Sequence, residues 1–166
     1  VFGHSGSDKS RFISMLEGKG IQKKSAQNLE SLRIKINDEF SLNILGLSLN
    51  TNIMPAMKMI GSKMDAFMFF IDASQPDNFE YNNYLINLLL NNYSLPSLIV
   101  LTNISILGDD AIEMIKNKFK FIRKVNFTTM NLEKLKDPWH LIDQIQMIEE
   151  KKTVKTSVES KEVSND

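Results

Sequence analysis

The most specific chemical signal in the sequence lies in eight residues near its start. Gly3-His4-Ser5-Gly6-Ser7-Asp8-Lys9-Ser10 matches the phosphate-binding pattern G-x-x-x-x-G-K-[ST] at every fixed position but one. In such a loop, backbone N–H groups and a helix N-terminus surround the phosphates, the lysine supplies a point charge, and the hydroxyl binds Mg²⁺. Gly3 and Gly6 leave the backbone free to approach a ligand, and Lys9 and Ser10 retain the groups for both tasks. Asp8 stands where the last glycine belongs. Its carboxylate would lie against a polyphosphate, and a like-charge pair at roughly 4 Å with an effective dielectric of ~20 costs about 4 kcal/mol. The same residue suits the start of a helix, where its charge complements the dipole. Impaired phosphate binding is the expectation.

The elements that must position this loop form one α/β unit. With 166 residues, 42% of them hydrophobic, the chain can build one three-layer domain but not two. Val1 to Gly3 reads as the end of a strand, so a missing N-terminal part is expected. A helix follows with apolar residues at Phe12, Ile13 and Leu16, then a polar stretch from Lys19 to Asn28. Leu29, Leu32, Ile34 and Ile36 alternate up to the turn Asn37-Asp38-Glu39, and Phe40, Leu42 and Ile44 alternate beyond it, as in an antiparallel hairpin. Gly46 to Thr51 reads as a loop and Met54 to Ile60 as a short helix ending at Gly61. Ala66 to Ile71 and Leu98 to Leu101 run apolar without alternation, as strands covered on both faces do. Helices are expected at about 77–91, 109–117 and 138–150, a strand around 122–127, and a polar, disordered tail over 151–166. The whole predicts a doubly wound, mostly parallel six-stranded sheet with one antiparallel hairpin strand, residues 1–150 forming the domain. Ligands in such sheets bind at the strands' carboxyl ends. Those ends are Gly3 to Ser10, Gly46 to Asn50, Asp72 to Ser74 and Thr102 to Ile106.

Composition removes several chemistries. Lys and Arg number 20, as do Asp and Glu, so no net field draws nucleic acid or an acidic membrane. There is no Cys and only two His, which excludes disulfides, thiolate chemistry and a histidine-rich metal site. No apolar run approaches the roughly 20 residues of a membrane span, and no signal peptide opens the chain, so the expected location is the cytoplasm, without an intrinsic membrane anchor.

Taken together, the loop, the hairpin, the phrase Met64-Asp65-Ala66-Phe67-Met68-Phe69-Phe70-Ile71-Asp72-Ala73-Ser74 and the strand Leu98-Ile99-Val100-Leu101-Thr102-Asn103 resemble the Ras-like small P-loop GTPases. The resemblance is strongest to the prokaryotic and archaeal group similar to the signal-recognition-particle receptor β subunit and the gliding-protein GTPases. It covers Val1 to about Glu150. It implies GTP or GDP with Mg²⁺ as ligands, Gly3, Gly6, Lys9, Ser10 and Asn103 as nucleotide-binding residues, and Ser10 as the Mg²⁺ ligand.

Four sites depart from that family's pattern. Asp8 replaces the loop glycine. The switch threonine that reaches Mg²⁺ would fall near Ser25 or Ala26. Leu49 stands at the glycine that contacts the γ-phosphate, and Asn50 at the water-orienting Gln, one methylene shorter. Where Asn-Lys-x-Asp reads guanine, only Asn103 remains, with Ile104 and Ile106 at the lysine and aspartate. Thr128-Thr129 corresponds to the last motif. Such joint erosion predicts a pseudo-GTPase kept for its surface, acting as a regulatory or scaffold domain. Its protein partner is expected on the second-switch region from Asn50 to Met64, where Met54, Met57, Met59 and Met64 would suit an adaptable apolar interface or simply fill the core. Two other readings stay open. One is a competent GTPase switch. The other is a receiver-like phosphoacceptor domain built on Asp72 and Thr102, which lacks the acidic pair such a domain needs after its first strand.

Overall fold

The computed structural model describes residues 1–3, 8–16, 22–26, 29–39, 41–48, 53–104, 109–131 and 138–148. Seven strands form one sheet in the order β2-β3-β4-β1-β5-β6-β7: β1 (Phe2–Gly3), β2 (Gln22–Ala26), β3 (Leu29–Lys35), β4 (Ser41–Ser48), β5 (Phe67–Asp72), β6 (Ser97–Thr102) and β7 (Asn126–Thr129). The helices are α1 (Asp8–Met15), α2 (Met54–Ile60), α3 (Phe79–Asn92), α4 (Asp109–Lys118) and α5, residues 139–148. The expected class holds. β1 pairs in parallel with β4 and β5, and β5 to β7 are parallel, so β3 alone runs against the rest.

The two faces of the sheet follow from the period-2 alternation of its strands. Phe2, Leu47, Phe67, Phe69, Ile71, Ile99 and Leu101 point to one face, where Met57 of α2, Leu85, Ile86 and Leu89 of α3, and Ile115 of α4 cover them. Leu32, Ile34, Ile44, Met68, Phe70, Leu98 and Val100 point to the other, under Phe12 and Ile13 of α1 and Leu141 and Ile142 of α5. β6 is buried along its whole length and β5 up to Ile71, which is why both read as unbroken apolar runs.

Three local expectations are corrected. The polar stretch 19–28 contains a seventh strand, β2, in antiparallel register with β3 from Gln22↔Arg33 to Ala26↔Leu29. Its sequence Gln-Lys-Lys-Ser-Ala lacks apolar alternation because it forms the sheet's edge, where lysines discourage further pairing. Gly46 to Ser48 belong to β4 rather than to a loop. The strand expected at 122–127 starts only at Asn126. The backbone before it is already committed: Asn83 Oδ1 accepts from Lys120 N at 3.0 Å and Asn87 Oδ1 from Ile122 N at 2.9 Å, while Asn87 Nδ2 donates to Lys120 O at 2.8 Å. The Arg123 guanidinium donates to Tyr93 O at 2.7 Å and Leu95 O at 3.2 Å. These asparagines and Arg123 fasten the segment after α4 to α3 and its exit. Among the described residues, no helix is long and apolar enough to cross a membrane. The tail 151–166 lies outside the described residues.

Candidate functional site

The carboxyl ends of four strands meet where the sequence directs attention. Gly3 is registered with Ser48, and Asp72 with Thr102. Helix α1 opens on Asp8, in the first-turn position that favours an acid. Lys9 follows, and unlike most lysines it is buried, its side chain only 5% exposed. Its ammonium lies 3.6 Å from Glu30 Oε2 and 3.4 Å from the hydroxyl of Ser10, to which it donates. The structure thus brings Asp8, Lys9 and Ser10 together at the head of α1 beside the end of β1.

Glu30 was not a candidate in the sequence, and its place is set by register. It stands on β3 opposite Gly46 of β4, two residues before Leu32 and so on the face that α1 covers. A Cβ at Gly46 would fall 2.5 Å from Ile13 Cδ1 and 3.3 Å from Glu30 Oε2, so the missing side chain lets α1 and the carboxylate close over that point of β4. The alternation Glu30, Leu32, Ile34 carried the signal. A glutamate on the core-facing phase of a strand needs a cation.

Across the sheet, Asp72 is an acceptor for its own turn. Ser74 N donates to Oδ1 at 2.9 Å, Ser74 Oγ to the same atom at 2.6 Å, and Gln75 Nε2 to Oδ2 at 3.1 Å. Partial burial alone would raise its pKa. The hydrogen bonds from Ser74, Asn103 and Gln75 outweigh that and hold the carboxyl below its ordinary value. Asn103 adopts a left-handed backbone, φ 56°, and turns its side chain to Asp72. Ile104 packs against the core cluster that includes Ile71 and Leu101.

The other predicted site residues are distributed unevenly. Gly6, Leu49, Asn50 and Ile106 lie outside the described residues. Ser25 and Ala26 fall on β2, with Ser25 registered opposite Glu30. Since β3 and β4 separate β2 from β1, the backbone at Ser25 is about 14 Å from β1 across the sheet, and the structure does not bring it to Ser10. Thr128 and Thr129 end β7. Among the described residues, no cluster of three or more His, Asp or Glu could hold a metal ion.

No family model and no curated protein matches the sequence. Solved structures do resemble its fold. The chain is similar to an ADP-ribosylation-factor-like GTP-binding protein, the small COPII coat GTPase SAR1 from Encephalitozoon cuniculi in complex with GDP. The TM-score is 0.71 at 12% identity, over 96% of this chain and 81% of that one. It is also similar to translation elongation factor SelB from Methanococcus maripaludis in complex with the GTP analogue GppNHp, with a TM-score of 0.52 at 13% identity, covering 89% of this chain but only 31% of SelB. At such identities the likeness speaks for architecture alone, and together with the sheet order it shows that this chain has the fold of the small P-loop GTPases.

Proposed function

We propose that this chain is a degenerate small-GTPase-like domain, regulatory or scaffolding in role, with weak and poorly base-selective nucleotide binding. The carrying observation is at the base-reading end. Ile104 is half-buried and packs against the core, so the position where the pattern has its base-reading lysine offers no polar group, and Asn103 alone remains of that motif. A site built to read a base by hydrogen bonds loses its selectivity when those groups are gone. The phosphate end fits better, since Lys9 and Ser10 supply the cation and hydroxyl that a polyphosphate and Mg²⁺ would require. Asp8 opposes them with a like charge. Within the fold, the phrase from Met64 to Ser74 supports a position near the group similar to the signal-recognition-particle receptor β subunit.

Calorimetry with GTP, GDP and ATP in the presence of Mg²⁺ tests this reading. The unaltered chain is expected to bind none of them at micromolar concentration, and Asp8→Gly to gain affinity without strong preference for guanine. Micromolar, guanine-selective binding by the unaltered chain would refute the degenerate reading and restore the competent switch.

The partner surface we propose is the α2 side of the segment from Asn50 to Met64. Met57 fills the core, whereas Met59 is 76% exposed, with Met54 and Met64 half-buried nearby in sequence. A flexible thioether of this kind adapts to apolar partners. Met59→Asp is expected to leave thermal stability within about 0.5 kcal/mol, as an exposed site should, while weakening partner binding at least about tenfold. A large loss of stability in that variant would count against an interface role.

A further inference from the structure

We propose that Glu30 is a built-in carboxylate ligand of the loop lysine and sets how strongly this site takes an external polyphosphate. The inference rests on the reading of the loop as a weakened phosphate site, and adds a second anion to the one contributed by Asp8. Three observations support it. Lys9 is nearly sealed from solvent, and a buried ammonium demands a counter-charge. Glu30 Oε2 is 3.6 Å from the ammonium, and Gly46 keeps the strand beneath it clear. That same oxygen, Oε2, is buried and forms no hydrogen bond among the described residues, so none holds it in place once the ammonium moves to another anion.

The consequence is a competition. A phosphate must take the ammonium from Glu30 or accept a carboxylate beside it, and either lowers affinity. If only a fraction of molecules present Lys9 free of Glu30, the apparent dissociation constant rises by the inverse of that fraction. Removing the carboxylate while keeping the shape of the side chain should therefore tighten binding.

The probe is inorganic tripolyphosphate with Mg²⁺, titrated calorimetrically into the parent chain, Glu30→Gln, and Glu30→Gln with Lys9→Met, each also in the Asp8→Gly background. Glu30→Gln is expected to bind at least about tenfold more tightly than its parent in one or both backgrounds, with the gain lost when Lys9 is replaced. Equal affinity, no binding by the Glu30→Gln, Asp8→Gly pair, or a gain that survives Lys9→Met would overturn the proposal and leave the ion pair a fastening between α1 and β3. Glu30→Asp, which keeps the charge but withdraws it by one methylene, should show a smaller gain and serves if the glutamine variant does not fold. The two readings fail separately. Tight, guanine-selective GTP binding by the parent defeats the degenerate-domain reading, whereas the role of Glu30 is read from the ratio of tripolyphosphate affinities.

Discussion

Phe69→Ala is expected to destabilise the domain by about 3–5 kcal/mol, the largest effect of any single substitution considered. The ring is 1% exposed in the central strand β5. It stacks on Phe2 at 5.2 Å with planes 24° apart and lies 5.9 Å from Phe67. Its backbone registers with Phe2 on one side and Ile99 on the other. Truncation therefore removes the transfer energy of a buried ring and leaves a cavity walled by strands on both sides, which cannot collapse without shifting the sheet. For a domain of this size each kcal/mol corresponds to roughly 2–4 °C, so the melting temperature should fall by about 6–20 °C. Phe69→Leu should lose less than half as much. Thermal and urea melts decide it, and a loss under about 1 kcal/mol for the alanine variant would mean that this aromatic layer is not the core described.

Gly61→Ala is expected to cost about 3 kcal/mol, for a reason unrelated to backbone conformation. Gly61 has φ −58°, which any residue adopts. The constraint is Tyr93: an added Cβ would fall 2.4 Å from Cε1, 2.5 Å from Cζ and 2.6 Å from the phenol oxygen. The ring cannot simply swing away, because its hydroxyl donates to Met57 O at 3.0 Å and its edge packs on Phe67 at 5.8 Å. Overpacking and the lost hydrogen bond combine. A double-mutant cycle checks the cause. Tyr93→Leu should absorb much of the penalty of Gly61→Ala, giving a coupling of more than about 1 kcal/mol. Additive losses would show that Gly61 is required for something other than the approach of that ring.

Much of the architecture was legible because its strongest signals are local. Two unbroken apolar runs announced β5 and β6, alternation around Asn37-Asp38-Glu39 announced the β3–β4 hairpin, and Pro138 marked the last helix. β2 was not legible, since its sequence Gln-Lys-Lys-Ser-Ala carries no apolar alternation from which a strand period could be read. The displaced start of β7 depended on Asn83 and Asn87, whose hydrogen bonds reach across more than 30 residues and leave no local mark. At the site, the loop motif drew attention to Asp8, Lys9 and Ser10 because these residues are adjacent in the chain, and the structure sets them at the head of α1. Glu30 escaped because its relation to Lys9 exists only after strand registry is fixed. Ser25 was matched by order along the chain, whereas the sheet carries it to the far side of β3 and β4.

The pairing of β1 has a consequence for the order in which the molecule comes together. Phe2 meets Leu47 on one side and Phe69 on the other, separations of 45 and 67 residues, while β3 and β4 need only a short turn. Closing those long spans is entropically late, and parallel pairings of distant segments fold slowly. The hairpin that bears Glu30 is thus expected to exist before the strand that leads to Lys9 slides into its slot, so the carboxylate waits for the ammonium during folding.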